Sequence, residues 1–251
     1  MELKDKVALV TGGAKRLGRE IALALAREGC DIVVHYRSSR EEADATAEEI
    51  RALGRQAWCV CGDFSNVYGP DVAMNTAWDL AGWVDILVNN AAGFSRASLE
   101  DAPVELFEEL WRVNALAPVL LARRMQALAA GSDILPQDYC GRVVNVLDRT
   151  VAHPSRKLPY WLSKKALEAF TLSAALSGAP RFTVNAVAPG PVMVPEDPAL
   201  RESAGPAPLA VRSLPGDVAD AVVWLAKAVT VTGQIVYVDG GRHLLGADVG
   251  G

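Results

Sequence analysis

Short apolar runs alternate along the chain with longer stretches in which apolar residues recur every three or four positions. The short runs are rich in valine and isoleucine, as buried strands are, and the longer stretches have the period of amphipathic helices. Strands are predicted at Val7–Val10, Ile32–His35, Ala57–Cys61, Ile86–Val88, Val143–Val146, Val184–Val187 and Ile235–Val238. Helices are predicted at Leu17–Glu28, Glu41–Leu53, Val104–Asn114, Pro118–Ala130, Leu162–Leu176 and Asp217–Ala228.

This alternation predicts an α/β fold, because consecutive parallel strands need a crossover element that a helix supplies. We expect a doubly wound, seven-stranded parallel sheet of the Rossmann type with helices on both faces. The carboxyl ends of its strands then lie at one edge, where open α/β sheets bind ligands. No internal repeat or linker divides residues 1–251, which predicts a single domain. Gly190–Pro215, rich in Pro, Ala and Ser and without a strand, is predicted to be a substrate loop.

The composition excludes several classes of partner. Of the 251 residues, 51% are hydrophobic and 22% charged, which provides enough apolar surface for a core. A net charge of -5 offers no positive field to a nucleic acid or an anionic membrane. No segment is long and apolar enough for a secretion signal or a membrane span, so we expect a cytoplasmic protein. The four cysteines and three histidines follow no disulfide or metal-ligand spacing, which predicts no metal site.

A glycine-rich turn, TGGAKRLG at residues 11–18, joins the first strand to the first helix. Gly12 and Gly13 allow a tight turn, and Gly18 allows the helix to pack closely on the strand. The N-terminus of the helix offers unpaired N–H groups to a pyrophosphate, so this strand, turn and helix predict a dinucleotide-binding site. The other members of the turn that we expect near the cofactor are Lys15, Arg16 and Leu17.

The residues at the end of the second strand favour NADP(H) as the cofactor. An NAD-selective site places an acidic residue here to bind the ribose hydroxyls. Arg37, with Arg16 of the glycine turn, can instead neutralise the additional 2'-phosphate of NADP(H). The alternative is that both arginines belong to an ordinary solvated surface. The segment reads, in order, His35, Tyr36, Arg37, Ser38 and Ser39.

Several short motifs follow one another in a recognisable order. They are TGGAKRLG, Asp63, Asn89-Asn90-Ala91, Asn114, Tyr160-Trp161-Leu162-Ser163-Lys164, Pro189-Gly190 and Val238-Asp239-Gly240-Gly241. With them the chain resembles the short-chain dehydrogenase/reductase family from Lys6 to Leu244. The resemblance implies that Asp63 and Phe64 border the adenine and that Asn89 and Ala91 lie beneath the ribose. It also implies that Pro189–Met193, with Pro189, Gly190 and Val192, contacts the nicotinamide amide.

Tyr160 and Lys164 are four residues apart and therefore share one face of a helix. A free tyrosine titrates near ~10, so it is a poor acid at neutral pH until a nearby ammonium stabilises its phenolate. We expect Lys164 to supply that charge and Tyr160 to donate a proton. Alone, the pair could be a packing tyrosine beside a solvated lysine, but the upstream motifs favour catalysis. The hypothesis gives Asn114 the role of anchoring a water in the proton relay.

The residue after the fifth strand departs from the family pattern. Where the family usually has a serine that hydrogen-bonds the substrate carbonyl, this chain has Asp148. A carboxylate cannot donate to a carbonyl oxygen unless it is protonated, but it can hold an amino group, orient a water or relay a proton to a ring nitrogen. Reduction of a C=N bond is therefore favoured over reduction of a ketone.

Asp148, Arg16 and the sequence HYRSS together resemble the pteridine reductase branch of the family, which reduces pterins with NADPH. In that branch an aromatic residue at the position of Phe94 sandwiches the pterin against the nicotinamide. The alternative is that Phe94 only anchors an apolar loop. Where the branch usually has a serine in the turn after the fourth strand, this chain has Ala92 and Gly93.

The leading hypothesis is hydride transfer from NADPH to an electrophilic carbon of a pterin-like ring. Tyr160 would deliver the proton, Asp148 would orient or protonate the ring nitrogen, and Arg16 would span the cofactor phosphate and the substrate. One alternative is a carbonyl reductase for a 3-oxoacyl thioester, a sugar or a polyol, and another is a non-catalytic dinucleotide-binding sensor. The resemblance also implies a homo-oligomer, a dimer or a tetramer, formed through the long helices after strands four and five.

Overall fold

The computed structural model describes residues 2–136, 139–192 and 207–245. Its strands form one sheet in the order β3-β2-β1-β4-β5-β6-β7, and every pairing is parallel. The predicted seven-stranded parallel sheet is thereby confirmed. The strands are β1 (Val7–Val10), β2 (Asp31–Tyr36), β3 (Ala57–Cys61), β4 (Ile86–Asn89), β5 (Gly141–Val146), β6 (Phe182–Pro189) and β7 (Ile235–Val238).

Helices cover both faces of the sheet, as predicted. Ile21 of the first helix and Val222 of the last pack on one face, and Leu121 packs on the other. Neighbouring residues of a strand point to opposite faces, so Val33 belongs to the same buried cluster as Leu121, and Val34 belongs to the same cluster as Ile21. The helices are α1 (Arg16–Arg27), α2 (Arg40–Ala52), α3 (Gly69–Ala81), α4 (Val104–Trp111), α5 (Ala117–Ala130), α6 (Leu158–Gly178) and α7 (Pro215–Lys227).

Helix α3 is not among the predicted helices. Its first two residues, Gly69 and Pro70, have the character of a turn. Proline is nevertheless well suited to the first turn of a helix, where N–H groups have no helical acceptor and its fixed φ is already helical. The buried side chains of Met74 and Trp78 then attach α3 to the sheet.

The helical region before β5 is continuous, which corrects one prediction. The sequence predicts a helix that ends at Asn114 and another that begins at Pro118. Instead, α4 passes into α5 through a π-helical turn at Arg112–Leu116. Proline has no N–H to offer to the carbonyl four residues earlier, which here belongs to Asn114. The chain accommodates that missing donor by widening one turn, and it does not break the helix.

The structure describes only the two ends of the predicted substrate loop, Gly190–Pro215. Residues 193–206 lie outside the described residues, and so does the expected nicotinamide contact at Met193. Among the residues that are described, no helix is long and apolar enough to cross a membrane. The same residues contain no group of three or more His, Cys, Asp or Glu that could hold a metal ion.

Candidate active site

A cleft opens at the carboxyl edge of the sheet, between the loops that follow β1 and β4. These two strands are neighbours, but the chain continues from β1 toward β2 on one side and from β4 toward β5 on the other. Such a reversal leaves a crevice where open α/β sheets bind ligands. The crevice holds a cavity of about 420 Å³. Its lining includes these predicted site residues: Gly12, Lys15, His35, Tyr36, Arg37, Ser38, Asp63, Phe64, Ala91 and Phe94.

The three glycines of the first turn are required for different reasons. Gly12 has a φ of +61°, a conformation that side-chain-bearing residues rarely adopt. Gly13 needs space, because a Cβ there would lie 2.9 Å from the Val10 carbonyl oxygen. At Gly18 a Cβ would lie 2.0 Å from the Gly12 carbonyl oxygen. The start of α1 is thereby pressed against the turn, with its N-terminal N–H groups at the cleft.

A set of hydrogen bonds fixes this turn to the end of β4. The Thr11 hydroxyl oxygen accepts from the backbone N–H groups of Asn90 and Ala91, both at 2.9 Å. The Asn90 side-chain amide donates in return to the carbonyl oxygens of Thr11 (2.8 Å) and Gly12 (3.2 Å). Sequence reasoning gave Asn90 no role of its own, because its partners lie almost 80 residues away along the chain.

The predicted site residue Asn89 is not among the residues that line the cavity. Its buried side-chain amide donates to the Asn145 side-chain oxygen at 2.8 Å, and Asn145 donates to the Thr171 hydroxyl at 2.9 Å. Asn89 therefore joins β4 to β5 inside the sheet, beneath the site.

The end of the cleft at which the sequence predicts adenosine binding is formed by the segments after β2 and β3. Arg37 and Ser38 line it from one side, and Asp63 lines it from the other. Hydrogen bonds from the Ser65 N–H (2.9 Å) and hydroxyl (2.8 Å) lower the pKa of the Asp63 carboxyl. Arg16 begins α1 with a φ of +56°, a strained conformation for a residue other than glycine.

Some predicted cofactor residues lie outside the lining of this cavity. Arg16 and Leu17 adjoin it through Lys15, at the start of α1. Pro189, Gly190 and Val192 lie at the end of β6 and in the turn after it. Pro189 is the last residue of the strand, and in the turn the Val192 N–H donates to the Gly190 carbonyl oxygen at 2.8 Å. They lie where the described chain stops before residue 193.

Asp148, Tyr160 and Lys164 are brought together beyond the other end of the cleft. The Tyr160 hydroxyl donates to a carboxylate oxygen of Asp148 at 3.1 Å, and the other carboxylate oxygen accepts from the Thr150 N–H at 2.8 Å. Helix α6 places Lys164 one turn after Tyr160, with Nζ 6.0 Å from the ring centre. The Lys164 ammonium also donates to the Val146 carbonyl oxygen at 2.8 Å.

The buried position of Lys164 changes its acidity. Burial lowers the pKa of Lys164 to about 8, because a charged ammonium is poorly solvated there, and the negative charge of Asp148 opposes that shift. The amine is therefore still protonated at neutral pH, but it loses its charge in a mildly alkaline range.

Asn114 lies in the π-helical turn and is fully buried. Its side-chain oxygen accepts from the Gly93 N–H (2.8 Å), and its amide donates to the Gly93 carbonyl oxygen (2.9 Å) and the Ser163 hydroxyl (3.0 Å). Both amide protons are thus used to hold the Ala91–Phe94 loop against α6. The group that Asn114 can offer to a water is its backbone carbonyl, which Pro118 leaves without an α-helical donor.

Phe94 connects the cleft to Tyr160. It lines the cavity, and its ring meets the Tyr160 ring edge-on with centres 4.9 Å apart. The Lys157 ammonium lies 5.4 Å from the centre of the Phe94 ring. Because 52% of its surface is exposed, Phe94 is not a core residue, and its position is suited to a flat ligand.

Relatives of known sequence place the chain in a family. A family model described as enoyl-(acyl carrier protein) reductase matches residues 12–243. The short-chain dehydrogenase/reductase FrzI of Cladobotryum sp. is 32% identical over 256 residues, which cover 95% of this chain and 96% of FrzI.

Solved structures agree over nearly the whole chain. FolM alternative dihydrofolate reductase 1 from Brucella canis, complexed with NADP, is similar with a TM-score of 0.87 and 32% identity, covering 97% of this chain and 96% of that one. The landomycin C-6 ketoreductase LanV, with bound NADP and rabelomycin, has a TM-score of 0.83 and 30% identity, covering 97% and 98%. With relatives of this identity along almost its whole length, and a family model that spans residues 12–243, this chain belongs to the short-chain dehydrogenase/reductase family of oxidoreductases.

Proposed function

We propose that this protein is an NADPH-dependent reductase of a dihydropterin or a related bicyclic ring with a C=N bond. The observation that carries the proposal is the hydrogen bond from the Tyr160 hydroxyl to Asp148. An ionised carboxylate at this place repels a carbonyl oxygen, but it accepts hydrogen bonds from the amino and N–H groups of a heterocycle. It therefore holds such a ring beside the proton that Tyr160 donates.

The cleft fits NADP(H) as the cofactor. The glycine turn has a left-handed φ at Gly12 and leaves no room for a Cβ at Gly18, so α1 begins close against the backbone that would face a pyrophosphate. Arg37 lines the adenosine end, where a guanidinium can pair with a 2'-phosphate. FolM and LanV, which this chain resembles, were both solved with NADP. When bound, NADPH supplies the hydride.

In this mechanism the residues of the chain position the ring and move the proton. Phe94 holds the flat ring by stacking, and Asp148 fixes its orientation through ring or amino N–H groups. Tyr160 donates a proton to the ring nitrogen, directly or through a water. The Lys164 ammonium stabilises the phenolate that results, and the Asn114 carbonyl anchors a water that restores the proton.

A carbonyl reductase is the second candidate. It is favoured by the likeness to LanV, a ketoreductase that is nearly as similar to this chain as FolM is. Tyr160 and Lys164 serve a ketone as well as they serve a C=N bond. Asp148 distinguishes the two candidate functions, because its carboxylate favours a heterocycle with N–H groups over a ketone.

The test measures NADPH oxidation with 7,8-dihydrobiopterin, dihydromonapterin and dihydrofolate beside a matched panel of ketones and 3-oxoacyl thioesters. We expect turnover of a dihydropterin, with kcat lowered about 100- to 10,000-fold by Tyr160→Phe. Asp148→Ser restores the usual hydroxyl, so it should lower dihydropterin turnover and spare or raise that of ketones. Turnover of carbonyls alone by the wild type contradicts the pterin proposal, and near-normal kcat in Tyr160→Phe contradicts the proton donor.

The proposed enzyme is a homo-oligomer. Helices α4 and α6 border an apolar groove of about 620 Å³ on the outside of the molecule, lined by Phe107, Trp111, Pro159, Leu162 and Ala166 among others. Trp111 and Leu162 are about half exposed there. A second copy of the chain that packs these helices against its own would bury both side chains.

A further inference from the structure

The imidazole of His35 is held between three segments that surround the adenosine end of the cleft. His35 lies in β2 and is almost fully buried. Its Nδ1 accepts from the Gly12 N–H at 3.1 Å, and its Nε2 donates to the Gly62 carbonyl oxygen at 3.1 Å. Its ring stacks on Phe64 with centres 4.2 Å apart and planes within 8°. One side chain thus joins the turns after β1 and β3.

These partners specify one form of the ring. A backbone N–H can only donate, so Nδ1 must carry a lone pair. A carbonyl oxygen can only accept, so Nε2 must carry the proton. His35 is therefore neutral, as the Nε2–H tautomer. Burial lowers the pKa of His35 to about 4, although the hydrogen bond to Gly62 opposes that shift.

The titratable residues next to His35 and Gly62 in the chain have no hydrogen bond to the imidazole among the described contacts. Tyr36 and Arg37 follow His35 in the chain and line the cleft, and Asp63 follows Gly62 with its carboxylate bonded to Ser65. The causes that set the pKa of His35 are its burial and the Gly62 carbonyl.

The same contacts explain two neighbouring features. The left-handed conformation of Gly12 is the one in which its N–H meets Nδ1 of His35. Gly62 cannot carry a side chain without crowding the ring, since a Cβ there would lie 3.0 Å from Nε2. Both ring nitrogens of His35 are committed to the protein. They leave no hydrogen bond for a cofactor.

We propose that His35 is a positioning residue for the cofactor, acting through its hydrogen bond from the Gly12 N–H and not by hydrogen bonding to the cofactor itself. It holds the phosphate-binding turn in one geometry before the cofactor arrives. This role rests on the proposed binding of NADP(H). It differs from the direct contact expected from the sequence, in which His35 belongs to the segment that faces the 2'-phosphate.

Two substitutions of His35 distinguish the effect of the hydrogen bond with Gly12 from the effect of the size of the ring. His35→Asn keeps an acceptor near the position of Nδ1, whereas His35→Phe keeps the stacked ring and removes both nitrogens. Leaving the Gly12 N–H unpaired should weaken NADPH binding about tenfold in His35→Phe, and His35→Asn should stay within about threefold of the wild type. Because Tyr160 and Lys164 are untouched, kcat at saturating NADPH should change little in either variant. Circular dichroism checks that both are folded.

Nitrogen-15 NMR of the wild type tests the ring directly and needs no substitution. With three histidines in the chain, His35 is assigned by the signal that His35→Asn loses. We expect a protonated Nε2 and an unprotonated Nδ1 from pH 8 down to pH 5. Protonation of Nδ1, titration near the ordinary value, or equally weak NADPH binding by both variants overturns the positioning role. A wild type that binds no NADPH overturns the proposed function, whereas tight wild-type binding that His35→Phe retains overturns the role of His35 alone.

Discussion

Lys164 and Asp148 are coupled through the space around Tyr160. In the proposed mechanism Lys164 must be charged to stabilise the Tyr160 phenolate, yet its burial lowers its pKa to about 8. Asp148 raises the pKa of Lys164 through its negative charge. Asp148, which departs from the family pattern, therefore also affects the pKa of Lys164.

This coupling predicts the pH dependence of the reaction. As the pH rises through about 8, Lys164 loses its proton, so kcat/KM for NADPH, which reports the free enzyme, should fall. Asp148→Asn removes a charge that raises this pKa and should move the alkaline limb to lower pH. The profile is measured by initial rates between pH 6 and pH 10, at fixed ionic strength. A limb that stays in place, or moves to higher pH, contradicts the assignment to Lys164.

Sequence reasoning predicts which residues lie together when they are near neighbours in one element, while their catalytic roles stay predictions. Tyr160 and Lys164 share a face because they are four positions apart on one helix, and Asp148 is placed by the strand before it. Sequence reasoning gave Asn90 no role and expected His35 to contact the cofactor, because the hydrogen bonds of both residues depend on which turns the sheet brings together. A motif shows that such residues belong near a cofactor, but it does not show whether they touch it.

At the scale of elements, the junction of β1 and α1 depends on close backbone packing. Gly18 is the tightest point, because a Cβ there would overlap the Gly12 carbonyl oxygen. The helix can accommodate a methyl group only by moving away from the turn. Its N-terminus would then move with it.

Gly18→Ala should therefore abolish NADPH binding and lower the free energy of unfolding by about 2 kcal/mol or more. Gly216→Ala is a suitable control, since Gly216 also lies in the first turn of a helix but a Cβ there meets nothing within 4 Å. Alanine has the higher helix propensity, so the control should be neutral or slightly stabilising. Urea unfolding and NADPH fluorescence titration measure the two effects. Equal behaviour of the two variants would contradict the packing argument.

The elements themselves were predictable to different degrees. Both ends of strands such as Ala57–Cys61 were predicted correctly, because a short apolar run between polar turns is typical of a buried strand. Helix α3 was missed since Gly69 and Pro70 signal a turn and a helix start equally well. The break predicted before Pro118 was wrong, because the π-helical turn that joins α4 to α5 has no sequence signature of its own.

At the scale of the whole molecule, the proposed oligomer gives a direct test. Leu162 in the groove and Leu53 at the end of α2 are almost equally exposed, at 43% and 44%. Helix α2 packs on the opposite face of the sheet from the groove, so Leu53→Glu is a matched control. Leu162→Glu would place a charge in the proposed interface and should yield a 26.7 kDa monomer at micromolar concentration. Sedimentation velocity gives the masses, and a monomeric wild type would disprove the proposal.

The order of the strands could be anticipated only through the family resemblance. Periodicity predicts seven strands and parallel pairing, but it does not say that β1 lies beside β4. That arrangement creates the crevice and brings Gly12, His35 and Phe94 to one edge. The position of the site therefore follows from topology, while its chemistry follows from single residues.

The Asn89–Asn145 pair has a consequence for how the central strands align. The two residues lie opposite each other in the pairing of β4 with β5, and the buried Asn89 amide donates to the Asn145 side-chain oxygen. A slip of one residue would turn one amide to the other face of the sheet and separate the partners, leaving polar groups buried without a hydrogen bond. A pair of valines facing each other at these positions would lose no hydrogen bond in such a slip, whereas the two asparagines would lose theirs. The two asparagines thus favour one alignment of β4 with β5 over its neighbours.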